Sequence, residues 1–198
     1  DFTIQNSSDQ GDAWMAADAF QNVTGLVRLG QSGNFVVVGG TNAVDGYMAE
    51  VDPQNGNIVD MTDATGNIIQ LSGFGTVQLD KAPGGLAVYY DSVNNNHQLF
   101  VAEQETSSVN TATIVKLNDA TGSFAYVKAI AITLSTNAGF AALAYDHVNQ
   151  TLIGSSPDFT NMENLIQVID TGSDPLFSAS SGSVSISNQP KDPQGDPI

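Results

Sequence analysis

One pattern occurs three times along the 198 residues, and it confines the chain to folds built by repetition. Each copy opens with a glycine and an apolar run: Gly25-Leu-Val-Arg-Leu29, Gly85-Leu-Ala-Val-Tyr-Tyr90 and Gly139-Phe-Ala-Ala-Leu-Ala-Tyr145. The starts are 60 and 54 residues apart. A polar turn follows each run: Gln31-Ser-Gly-Asn34, Asp91-Ser-Val-Asn94 and Asp146-His-Val-Asn149. A second apolar run comes next, as Phe35-Val-Val-Val-Gly39, Leu99-Phe-Val-Ala-Glu103 and Leu152-Ile-Gly-Ser-Ser156. Third runs cover Tyr47–Asp52, Ala112–Asn118 and Leu165–Asp170, closing on the turns Asp52-Pro-Gln-Asn-Gly56, Asn118-Asp-Ala-Thr-Gly122 and Asp170-Thr-Gly172. A fourth run is clearest in the middle copy, Phe124–Ile132.

Each copy therefore reads as four short strands joined by hairpins, over roughly 50 to 60 residues. Asp or Asn with a Gly a few residues later suits turns in which Gly takes positive φ. In the third strand of the middle copy, alternation places Ala112, Ile114 and Lys116 on one side. The first and second strands are more continuously apolar, as expected of strands covered on both faces. A four-stranded sheet with two apolar faces must be covered by its neighbours. The expected class is all-β and propeller-like, with three blades over residues 23–79, 83–132 and 137–180. A β-sandwich is the alternative.

The flanks are expected to supply more structure. Residues 1–22 hold a strand-like Phe2-Thr-Ile4 and a helix candidate, Gly11–Phe20. Residues 181–198 hold the strand-like Val184-Ser-Ile186 and a proline-rich tail, Gln189–Ile198. These two strands together are expected to form a fourth, split blade; otherwise the open edges invite another chain. Asn67–Leu71 and Thr76–Leu79 also look extended.

The charge is made in an unusual way. Against 5 Lys+Arg stand 21 acids, 17 Asp and 4 Glu, for a net charge of −16. With Arg28 the single arginine, phosphate neutralisation is out of reach, which argues against nucleic acid and against anionic lipid. Asn also numbers 17 and Gly 19, so the acidity accompanies turn-forming residues, unlike the Glu and Lys of solvated helices. No cysteine is present, which removes disulfides, thiolate metal sites and cysteine nucleophiles. No apolar run approaches the ~18 residues of a membrane-spanning helix. The start at Asp1 fits either removal of a leader or an excerpt of a longer protein.

Leu99-Phe-Val-Ala-Glu103 followed by Ala112-Thr-Ile-Val-Lys-Leu-Asn-Asp-Ala-Thr-Gly122 resembles the YVTN and quinoprotein-like β-propeller repeats, and so does Leu165-Ile-Gln-Val-Ile-Asp-Thr-Gly172. The resemblance covers about residues 23–180. It implies a propeller fold and, for YVTN repeats, frequent use in surface and extracellular proteins. It carries over no catalytic residue. The fourth-strand aromatic of quinoprotein repeats is matched by Phe124 in the middle copy, whereas Ile58 stands there in the first, so no quinone cofactor is implied.

Catalytic signals are sparse. His97 and His147 lie in or beside the Asp-x-Val-Asn turns and are expected to be solvent-exposed turn residues. No nucleophile elbow, H-E-x-x-H or Walker loop occurs. Calcium, which takes oxygen ligands, has candidate sites at Asp91 with Asn94 and Asn96, at Asp146 with Asn149, and at Asp170 with Asp174; none matches an EF-hand loop. Turn shaping accounts for the same residues without an ion. Trp14 and the tyrosines at 47, 89, 90, 126 and 145 offer rings for carbohydrate stacking, but equivalent positions of Tyr89, Tyr90 and Tyr145 favour packing between blades. The expected function is a secreted or surface-exposed, non-catalytic binding or assembly module that self-associates through its terminal strands. The competing expectation is a metal-dependent propeller lactonase or esterase, with Glu103 and Glu105 as first suspects.

Overall fold

A computed structural model describes residues 22–40, 46–60, 70–72, 83–103, 111–119, 124–133, 139–149, 151–158, 163–170 and 181–186. All of the regular structure among them is β. The first meander comprises β1 (Asn22–Arg28), β2 (Phe35–Gly40), β3 (Gly46–Val51), β4 (Ile58–Asp60) and β5 (Gln70–Ser72). β2 pairs antiparallel with β1 and β3, and the other edge of β3 is shared by β4 at Glu50–Val51 and β5 at Gly46–Tyr47. The fourth-strand position of this copy is thus filled by two short pieces.

The middle copy forms β6 (Pro83–Asp91), β7 (Asn96–Glu103), β8 (Thr111–Asp119) and β9 (Phe124–Thr133), an uninterrupted antiparallel meander. The third copy forms β10 (Ala142–Asp146), β11 (Thr151–Asp158), β12 (Glu163–Asp170) and β13 (Ser181–Ile186). Val184–Ile186 is therefore the fourth strand of this meander, paired with β12, and does not belong to a separate split blade. Phe2–Ile4, Gly11–Phe20, Thr76–Leu79 and the tail Gln189–Ile198 lie outside the described residues.

Alternation along the middle meander explains why its runs are apolar throughout. Leu86, Leu99, Val101, Val115, Leu117 and Phe124 pack with Leu29, Val36, Val38 and Met48 of the first meander. The intervening residues Ala87, Phe100, Ala102, Ala112, Ile114, Ile130 and Ile132 pack on the opposite face with Phe140, Leu152 and Ile169 of the third copy. Every residue in these two clusters is at most 4% exposed, so the middle sheet is covered on both faces. At roughly 1.5–3 kcal/mol for a fully buried large aliphatic or aromatic side chain, these two interfaces are the main source of stability.

The middle and third meanders are also joined through the backbone. β13 pairs in parallel with β9, Ser181 opposite Ala131 and Ser183 opposite Thr133. The two copies thereby become one eight-stranded sheet, in the order β10-β11-β12-β13-β9-β8-β7-β6, folded over the second cluster. Its two edge strands meet: a Cβ on Gly85 of β6 would lie 2.6 Å from the Leu143 nitrogen and 2.7 Å from the Ala142 carbonyl carbon of β10. On the other side a Cβ on Gly25 of β1 would lie 2.8 Å from Leu86 Cβ. The first strands of the three copies therefore run beside one another, and two of the repeated glycines are there because a side chain has no room. Among the described residues the stack does not close into a ring.

Candidate functional site

The hairpin turns gather at one end of the stack. Phe35 opposite Val51 places the β1–β2 and β3–β4 turns together, and contacts across the meanders bring the β6–β7 and β10–β11 turns to the same rim.

Three of these turns share one piece of chemistry. Asp91 Oδ1 accepts the backbone N–H groups of Val93 and Asn94 at 3.0 and 3.2 Å, and Oδ2 accepts the Asn94 side-chain amide at 2.6 Å. Asp146 repeats this with Val148, Asn149 and the Asn149 amide at 2.8, 3.2 and 2.7 Å. Asp52 does the same with the Gln54 N–H and the Asn55 amide, at 2.8 and 2.9 Å. An Asp with an Asn three residues later makes a turn held by its own side chains, which is why the pattern recurs. Hydrogen bonding, from the Asn side chain above all, holds the carboxyls of Asp91 and Asp146 below the usual carboxylate range; for Asp91 burial opposes this.

These bonds bear on the calcium candidates. In both turns the Asn presents its NH2 to the carboxylate, whereas a cation needs the amide oxygen. Asn96 Oδ1 accepts the Gln98 amide at 2.7 Å. Asp170 ends β12, and Asp174 lies outside the described residues. Among the described residues no group of three or more His, Asp and Glu is placed to hold a metal.

The two histidines separate. His147 is exposed, its ring 5.0 Å from Tyr145 and 6.1 Å from Tyr89. His97, expected in solvent, is instead 5% exposed. It belongs to β7, and the turn of the first meander covers it. Its Nε2 accepts the Gly30 backbone N–H at 3.1 Å, its Nδ1 lies 3.7 Å from Asp119 Oδ2, and its ring lies 5.2 Å from Tyr90. Desolvation pushes the imidazole below its ordinary pKa, against an opposing effect of the Glu50 charge. The ring is therefore neutral near pH 7, with the proton on Nδ1, because Nε2 is the acceptor.

The same contact zone contains residues that sequence reasoning missed. Gln31 donates to both Tyr90 Oη and Asn95 Oδ1 at 2.7 Å, and Tyr90 Oη donates to Asn95 Oδ1 at 2.8 Å. Asn95 has φ of 53°, a left-handed conformation that Asn tolerates; the run Asn94-Asn95-Asn96 was a usable signal for it. Buried Glu50 accepts the Asn34 amide at 2.7 Å and the Ser32 hydroxyl at 3.3 Å, fixing the β1–β2 turn.

Tyr47, Tyr89, Tyr90 and Tyr145 make packing contacts, and the side chain of Tyr126 lies outside the described residues. Tyr89 and Tyr145 rings meet at 4.8 Å between the middle and third meanders, and Tyr145 stacks on Phe100 at 6.3 Å. Tyr90, facing the other way, contacts the first meander. Tyr47 packs against Val37, Ala49 and Val51. Trp14 and Glu105 lie outside the described residues. Glu103 is fully buried at the end of β7; its Oε1 accepts the Thr113 N–H at 2.6 Å and its carbonyl accepts the Phe140 N–H at 2.9 Å. That placement ties β7 to β8 and to the segment that leads into β10. No protein-family model, curated protein or solved structure matches the chain.

Proposed function

We propose that the protein is a propeller-like repeat module, secreted or displayed at a surface, that works by binding or assembly and carries out no chemistry of its own. The observation that carries this reading is the stack itself: successive antiparallel meanders packed face to face in chain order, with their first strands side by side. Such a stack offers a broad, rigid rim of turns for a partner. The rim's aspartates at 91 and 146 are engaged in holding turns, and Glu103 is engaged in joining strands. The YVTN-like repeats at Leu99–Gly122 and Leu165–Gly172 support an extracellular setting.

Sedimentation over a wide concentration range, paired with a lactone and ester hydrolysis screen in added divalent ions, tests it. Reversible self-association without turnover is the expected result. A strictly monomeric species refutes the assembly part. Metal-dependent turnover abolished by Glu103→Gln replaces the whole reading with a hydrolase.

A further inference from the structure

We propose that His97 is an acid-sensitive latch: protonation of its Nε2 releases the β1–β2 turn, and with it the first meander, from the middle one. The argument starts from a backbone amide. Within the turn Leu29 N–H donates to Asn34 O at 2.8 Å and Gly33 N–H to Leu29 O at 3.0 Å. The Gly30 N–H is served from the other meander, by the lone pair on His97 Nε2. Leu29, the next residue back, is 1% exposed and plugs the first apolar cluster. The bond therefore lies beside the residue that seals this interface at the rim.

An imidazole has one acceptor, and a proton removes it. Protonated His97 would point a second N–H at the Gly30 N–H and place a charge in a site 5% exposed. The facing charged and titratable groups are Glu50 from β3, Tyr90 from β6 and Asp119 from β8. Glu50 and Asp119 favour the charged ring, and burial outweighs the Glu50 charge. Arg28 of β1 is turned to the Gly33 carbonyl at 3.4 Å. None of these groups gives Gly30 a replacement acceptor. The sign follows from a folded pKa below the unfolded value. The unfolded ring takes its proton near pH 6.5, the folded ring only lower, so the latch is intact above about 6.5 and weakens as pH falls below it. Asp91 and Asp146, also held below their ordinary range, act in a separate window beneath about pH 4.

Amide hydrogen exchange at Gly30, corrected for the intrinsic rate, tests the latch directly between pH 7.5 and 5.5, with the His97 ring titration followed by NMR on the same protein. Protection at Gly30 is expected to fall by up to about tenfold one pH unit below 6.5, the maximum that a lowered pKa permits. His97→Gln, which keeps an acceptor and cannot titrate, is expected to flatten that pH dependence. His97→Leu, which removes the acceptor, is expected to give low Gly30 protection at both pH values. Should His97→Leu fail to fold, wild type against His97→Gln decides alone. Undiminished Gly30 protection while the ring titrates, or an acid response in His97→Gln equal to wild type, overturns the proposal.

Discussion

The hydrogen bonds described between the first and middle meanders run from side chains to side chains or to single backbone groups; those between the middle and third run from main chain to main chain. The first junction holds His97 against the Gly30 amide, Gln31 against Tyr90 and Asn95, and Thr24 Oγ1 donating to Pro83 O at 2.6 Å. The second has the β9–β13 ladder and the Phe140 N–H on Glu103 O at 2.9 Å. Both bury comparable apolar clusters. Apolar burial is non-directional, so it holds the sheets together without deciding how they can separate. The polar layer decides that: it sets a histidine acceptor in one junction and a main-chain ladder in the other.

The largest test of this contrast is Ser183→Pro. Ser183 pairs with Asp170 on one side and Thr133 on the other, so a proline breaks the ladder in the middle of a sheet. A loss of about 3 kcal/mol or more is expected in denaturant unfolding, with faster amide exchange in the third meander and little change in the first. Equal loosening of both junctions would erase the distinction. Next come two glycines treated alike. Gly85→Ala drives a Cβ into β10 backbone, which cannot yield, and is expected to cost about 1–3 kcal/mol. At Gly30 a Cβ would meet only His97 Nε2, at 3.9 Å, so Gly30→Ala is expected to stay within about 0.5 kcal/mol of wild type.

Smaller effects sharpen the picture at the rim. Asp91→Ala and Asp146→Ala should each lower the melting temperature at pH 7, Asp91 more because it is buried. Because both carboxyls are held below the ordinary range, their contribution is present above about pH 4 and lost as pH falls through the folded values. The wild-type advantage should therefore vanish in melts below that range. The smallest effect expected is from calcium: chelation and re-addition should leave the melting temperature unchanged, since the turn carboxylates already take N–H donors. A calcium-dependent rise would restore the ion sites at Asp91 and Asp146.

The repeated strands and their hairpins were legible because their signals are local. An apolar run, an Asp with an Asn three residues on and a second run determine β6–β7 and β10–β11 within about twenty residues each. Continuous apolarity in the middle copy likewise reported two covered faces. The burial of His97 is not legible in the sequence because its partner lies 67 residues away, and nothing beside it in the chain signals burial. Its neighbours in sequence are polar; the cover is the turn of another copy. The divided fourth strand of the first meander was hidden for a related reason: β4 and β5 have three residues each, too short for alternation to show. The place of β13 depended on pairing across the sheet, which the alternation of Val184-Ser-Ile186 cannot specify.

The parallel ladder also dictates an order of events during synthesis. Ala131 finds its partner only when Ser181, fifty residues later, has been made. Until then the outer edge of β9 presents unpaired backbone groups on a sheet that is otherwise complete. Contacts of such long sequence separation also form slowly. A nascent chain therefore passes through a stage in which its best-formed sheet is its most adhesive one, and crowded expression or truncation before residue 181 should favour aggregation through that edge.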